Sequence, residues 1–143
     1  MDIERSVTVD RPVDVVFAYL SDFTTTTEWD PGTVSTERVS GDGDVGTRYR
    51  NTSSFMGRRT QLDYLVTERV PGQRFALRGE NPTVVAHDTM TFVGQNGSTT
   101  VTYRADFEFK GIARLVAPLL APALKRLGDD AEKGMREALE RLE

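Results

Sequence analysis

An α+β fold is what this sequence predicts: a seven-stranded antiparallel sheet curved around one long C-terminal helix, with two short helices after the first strand. Two periodicities and a series of turns predict it. From Gly111 to Glu143 apolar residues recur at steps of three and four, which holds one stripe on one side of a helix. From Val34 to Phe109 apolar and polar residues alternate, as in strands with one buried face. Short turn sequences separate the alternating runs, and strands joined so closely pair antiparallel.

Length and composition bound the remaining possibilities. Residues 1–143 are enough for a single domain with a real core. Hydrophobic residues at 38% and charged ones at 28% are the proportions of a soluble globular chain. The net charge of -4 argues against a nucleic-acid partner, because phosphate binding needs an excess of Lys and Arg. With no cysteine and a single histidine, His87, neither thiolate nor multi-histidine metal sites can form. No metal or other cofactor is expected. The most continuous apolar run, Leu115 to Leu124, contains Pro118 and Pro122 and falls short of the roughly 20 residues that span a bilayer. No membrane span is expected. Met1 to Arg5 carries no apolar leader, so a cytoplasmic location is expected.

The chain opens on a strand in which Ile3, Arg5, Val7 and Val9 alternate with polar neighbours. Pro12 suits the first helical position, where its missing N–H costs nothing, and Asp14 complements the positive helix end. Val13, Val16, Phe17 and Leu20 then form one face of a short helix. The β-branched run Thr24 to Thr27 is poor helix material, so Asp22 to Asp30 reads as a short, irregular second helix closed by Pro31-Gly32. Strands follow over Val34–Val39, Val45–Phe55, Arg59–Arg69, Arg74–Gly79, Thr83–Val93 and Thr99–Phe109. Between them lie turns at Ser40 to Asp44, Met56-Gly57, Val70-Pro71-Gly72, Asn81-Pro82 and Asn96-Gly97, the last a type I′ hairpin signal. Pro118 and Pro122 predict a break before the main helix.

Alternation also assigns faces. Tyr49, Asn51 and Ser53 point toward the helix, as do Leu62, Tyr64 and Val66 on the next strand and Phe75 and Leu77 on the one after. Val84, Ala86, Asp88, Met90 and Phe92 share that side with Val101, Tyr103, Ala105, Phe107 and Phe109. A closed core seldom holds this many polar groups, because each must find a partner. A water-holding cavity between sheet and helix explains them. The residues expected around it are Trp29, Tyr49, Asn51, Ser53, Tyr64, Phe75, Asp88, Met90, Tyr103 and Phe107, with Leu120 and Leu124 from the helical side.

Among these Asp88 is the most informative. It reads first as a residue near the cavity mouth, hydrated or paired with an arginine such as Arg50 or Arg78. The other reading is a carboxylate in a low-dielectric pocket, its pKa raised, serving as general base or ligand anchor. Tyr49, Tyr64 and Tyr103 each carry an O–H for a bound carbonyl or for packing. Trp29 either lines the cavity entrance or plugs one end of the sheet, and His87 falls on the outer face with Val85 and Thr89. The run Gly41-Asp42-Gly43-Asp44-Val45-Gly46 spells G-x-G-x-x-G, but it leads into a strand rather than a helix. It reads as a hairpin turn, not a phosphate loop. Leu115 to Leu124 reads equally as core, as a lid or as a dimerisation surface, so monomer and homodimer both stand.

The order of elements, together with several local patterns, resembles the START-like (SRPBCC) superfamily and its helix-grip fold. Those patterns are Val9 to Phe17, Trp29-Asp30-Pro31, Gly43 to Tyr49, Val66 to Pro71, Gly97 to Tyr103 and the terminal Leu139 to Glu143. The branch most similar is the polyketide cyclase/dehydrase type. Arg11 departs from it, standing where Ser is usual before the first helix. The resemblance implies a small, mainly hydrophobic molecule bound in the cavity, as in carriers and other ligand-binding members. Its alternative is a cyclase or dehydratase acting on a carbonyl-rich substrate, with Asp88 or a tyrosine moving a proton.

Overall fold

The computed structural model, which describes residues 1–143, begins with β1 (Asp2–Val9) and α1 (Val13–Leu20). A 3-10 turn at Phe23–Thr25 leads into α2 (Thr26–Trp29), the irregular second helix that the threonine run predicts. Then come β2 (Thr33–Ser40), β3 (Arg48–Phe55), β4 (Arg58–Val70), β5 (Arg74–Glu80), β6 (Val84–Gln95) and β7 (Ser98–Phe109). The chain ends with α3 (Ala113–Val116), a 3-10 turn at Ala117–Leu120 and α4 (Ala121–Glu140). The helical break expected from the two prolines is present, with Pro122 in the first turn of α4. Pro12 is the residue that caps α1 rather than its first helical residue, and its carbonyl accepts from Val16 N–H at 3.1 Å.

One sheet contains all seven strands in the order β1-β7-β6-β5-β4-β3-β2, every neighbouring pair antiparallel. The first strand therefore pairs with the last, Val7 opposite Val101. The hairpins at Met56-Gly57 (φ 53° and 78°) and Asn96-Gly97 (φ 53° and 81°) turn through the left-handed region at both central residues, as type I′ requires. Thr47 Oγ1 accepts from Gly43 N–H at 2.8 Å inside the glycine-rich loop, and the chain then enters β3. That loop is a strand connection, and it delays β3 to Arg48, three residues later than alternation alone suggests.

Antiparallel pairing places the β3–β4 turn, the β5–β6 turn and the exit of β7 at one end of the sheet. The β2–β3, β4–β5 and β6–β7 loops lie at the other. At this second end α1 lays Val16, Phe17 and Leu20 on the sheet, and the Phe17 and Phe92 rings meet edge to face at 5.0 Å. Helix α4 turns Leu124, Gly128, Met135, Ala138 and Leu139 inward. Two glycines let it approach its neighbours closely. A Cβ on Gly134 would sit 1.9 Å from the Trp29 carbonyl oxygen, and one on Gly128 would sit 2.4 Å from Ile3. Arg11 closes the far end of the helix by donating to the Glu140 and Leu142 carbonyls, which have no partner within the helix. The departure at Arg11 is thus a helix clamp. Not all of the expected stripe is buried: Ile112, Leu115 and Leu119 face solvent, so the core reading of Leu115 to Leu124 fails at Leu115 and Leu119. No helix is long and apolar enough to cross a membrane.

Candidate functional site

Between the sheet and α4 lies a cavity of about 300 Å³. Its floor comes from β3 (Asn51, Ser53, Phe55), β4 (Thr60, Leu62, Tyr64), β6 (Val84, Asp88) and β7 (Tyr103, Phe107, Phe109). Its roof comes from Phe23, Thr26 and Trp29 on one side and from Leu120, Leu124 and Leu127 on the other. Asn81 and Thr83 in the β5–β6 turn complete one edge.

Asp88 is the chemical centre. It is only 3% exposed, and no arginine touches it: Arg50 pairs with Asp63 and Arg78 with Glu80, both on the outer face. The expectation of an arginine-paired carboxylate is therefore corrected. Asp88 Oδ2 instead accepts from the Tyr103 hydroxyl at 2.9 Å, while Oδ1 is buried without a hydrogen-bond partner. Burial pushes this carboxyl up to about 7, against the pull of the Tyr103 hydrogen bond, and the charge of Asp30 pushes the same way. At neutral pH the group is poised between acid and base.

Around Asp88 the aromatic groups are tightly placed. Tyr103 and Trp29 meet edge to face at 5.8 Å, and Trp29 Nε1–H, also buried, has no acceptor. Tyr64 packs on Phe23 at 4.9 Å, and its ring fills the space over Gly79, where a Cβ would lie 2.6 Å from it. The Tyr64 and Tyr103 phenols are held well above their usual range, first by burial and then by the neighbouring Asp88 charge. Asp30 rises too through burial, although Gly32 N–H and the Thr33 hydroxyl both donate to it.

A second polar group sits toward β2. Ser53 Oγ donates to Asn51 Oδ1 at 2.7 Å, Asn51 Nδ2 donates to Thr36 Oγ1 at 2.9 Å, and Thr36 meets Thr26 at 2.6 Å. These groups satisfy one another, which is how the sheet tolerates them. Asp88 Oδ1 and Trp29 Nε1 are the polar atoms left over.

Nine of the residues expected around the cavity border it: Trp29, Asn51, Ser53, Tyr64, Asp88, Tyr103, Phe107, Leu120 and Leu124. Tyr49, Phe75 and Met90 do not. They point to the correct side but lie in the packed half, 1%, 0% and 0% exposed, where Phe23 meets the Tyr49 ring at 5.6 Å. Alternation had already turned Leu62, Val84 and Phe109 inward, and their place in the wall follows from it. Leu127 belongs to the apolar stripe of the C-terminal helix, whereas Asp30 and Thr33 reach the cavity from the approach to β2, for which periodicity holds no signal.

Similar folds recur among solved structures. The Zhui aromatase/cyclase from a Streptomyces species superposes with a TM-score of 0.84 at 16% identity, covering 99% of this chain and 94% of that one. A protein from Thermus thermophilus gives 0.81 at 17% identity, over 96% and 95% of the two chains. A START superfamily protein from Mycobacterium smegmatis gives 0.74 at 16% identity, over 97% and 94%. Likeness at such identities speaks for the helix-grip fold alone. No curated protein matches the sequence. The family model described as polyketide cyclase / dehydrase and lipid transport matches residues 1–143, and the chain belongs to that family.

Proposed function

We propose that the protein binds a small, mainly hydrophobic molecule in the cavity between the sheet and α4, as a carrier or ligand-binding protein. The observation behind this reading is the cavity's make-up: about 300 Å³, apolar over most of its wall, with unsatisfied polar atoms gathered at Asp88 and Trp29. That volume stands at the lower end of the roughly 300–1,000 Å³ of small-molecule sites. Leu62, Val84, Phe107, Phe109 and Leu124 supply apolar contact, and a polar group on the ligand would meet Tyr64, Asp88 and Tyr103. A neutral Asp88 donates to a carbonyl or hydroxyl; an ionised one accepts from a hydroxyl.

A second reading is favoured by the Asp88 carboxyl, pushed up to about 7 with one oxygen free. In a cyclase or dehydratase it would remove a proton alpha to a carbonyl and return it to a departing oxygen, with Tyr64 steadying the developing charge. General bases are most effective with pKa values near the working pH. Native mass spectrometry followed by denaturing extraction tests the binding reading. A stoichiometric apolar molecule, or uptake of a fluorescent apolar probe that Leu120→Trp blocks, supports it; an empty chain that ignores the probe sinks both readings. Asp88→Asn separates the two. A carrier keeps its ligand, whereas an enzyme keeps ligand and loses turnover by at least about a hundredfold.

A further inference from the structure

Just outside the cavity, the segment from Lys110 to Leu127 is apolar on two sides. Leu120, Leu124 and Leu127 face the cavity, while Ile112, Leu115 and Leu119 stand 82%, 80% and 77% exposed. All three belong to α3, the residue before it and the 3-10 turn after it. Met56, at the tip of the β3–β4 turn and 65% exposed, projects from the same end of the sheet. Exposed apolar residues scattered singly need no explanation, but four large ones at one end of the molecule do.

Glu80 and Glu108 stand at this end, but the two segments that carry the protruding side chains are themselves free of carboxylates. Lys110 to Leu127 carries four cations and no carboxylate, and Phe55 to Thr60 carries Arg58 and Arg59 with none. Lys110 pairs with Glu80, but Arg58, Arg59, Arg114, Lys125 and Arg126 join no ion pair. At the opposite end Asp42 and Asp44 stand beside Arg38 and Arg69, so charge there is mixed. A chain with a net charge of -4 has therefore gathered unpaired positive charge around its protruding leucines.

From these features we infer that the cavity-mouth end docks on an anionic lipid surface, with Ile112, Leu115 and Leu119 entering the acyl boundary and the arginines meeting phosphate headgroups. Protruding apolar side chains ringed by cations are what interfacial binding requires, buried apolar area and headgroup attraction adding together. A second copy of the chain is a poor occupant, since pairing this face with itself sets cations against cations. The inference stands apart from the binding reading, because docking needs no ligand in the cavity.

Co-sedimentation of the full chain with vesicles tests it, comparing phosphatidylcholine alone with phosphatidylcholine containing phosphatidylglycerol. The expected result is binding to the anionic vesicles only, weakened by added salt. Each exposed cation reversed by Arg58→Glu or Arg59→Glu lowers partitioning about fivefold or more. Leu119→Glu, at a site 77% exposed, lowers it at least about tenfold while circular dichroism stays unchanged. Equal binding to both vesicle types overturns the inference, and so does binding to neither. Concentration-dependent dimers in sedimentation velocity that Leu119→Glu converts to monomers also overturn it, by assigning the face to a second copy.

Discussion

Along β6 the inward side chains change character halfway. Met90 and Phe92 are packed under α1 and its neighbours, whereas Val84 and Asp88 border open space. The same boundary crosses β3 between Tyr49 and Asn51, β4 between Val66 and Tyr64, and β7 between Val101 and Tyr103. One sheet face thus serves as solid core at one end and as cavity wall at the other. In the packed half close contact and apolar burial give stability. In the open half α2 and α4 arch over the sheet without filling it, and there polar groups survive unpaired. A strand pattern sets the side to which a residue points; the overlying helices decide whether it meets protein or space.

Substitutions that treat the two halves differently test this contrast. Phe75→Ala, in the packed half, should cost about 3–5 kcal/mol in urea unfolding, and Phe107→Ala, in the cavity wall, less than half as much. Equal losses would abolish the distinction. Asp88→Asn should do the reverse and stabilise. The unfolded carboxyl ionises near 3.8 and the folded one near 7, so between those values the folded state holds the extra proton. This group's contribution to stability is then full below pH 3.8, declines as pH rises toward 7 and stays lost above it. Asp88→Asn should accordingly raise stability by on the order of 2–4 kcal/mol at pH 8 and by little at pH 4, read from unfolding at both. A gain independent of pH would remove Asp88 from its buried, poised state.

Gly79→Ala probes the border itself. Its new methyl would force the Tyr64 ring away, costing about 1–3 kcal/mol and weakening uptake of an apolar probe. Unchanged probe affinity would show that Tyr64 does not shape the site. The outer face should be almost indifferent. His87 is about half exposed, with Glu108 4.0 Å away, and His87→Ala should shift stability by less than about 0.5 kcal/mol.

Much of this organisation was legible in the sequence, for a physical reason. Alternation at period two and recurrence at three and four are local, so β3 to β7, the type I′ turn at Asn96-Gly97 and the proline break before α4 could be read directly. How far along its face each strand meets a helix is a tertiary matter. Alternation alone therefore groups Tyr49, Phe75 and Met90 with the cavity residues, although they lie in the packed half. The Asp88 partner escapes alternation for a different reason. The alternation that turns Asp88 inward turns Arg50 and Arg78 outward, and its true partner, Tyr103, lies on the neighbouring strand. Gly128 and Gly134 carry no periodic signal, because their role depends on what each one meets across the interface, the Ile3 and Arg5 side chains for one and the Trp29 backbone for the other.

The Arg11 clamp carries a kinetic consequence. It joins residues 131 positions apart, alongside a β1–β7 pairing that also spans most of the chain. Neither contact can form until almost the whole sequence is available, and closing such long loops is slow compared with making hairpins. The successive hairpins from β2 to β7 are free to assemble early. The roof of the cavity arrives last, when α4 settles and residue 11 grips its end, so the order of assembly leaves the binding space uncovered until the final step.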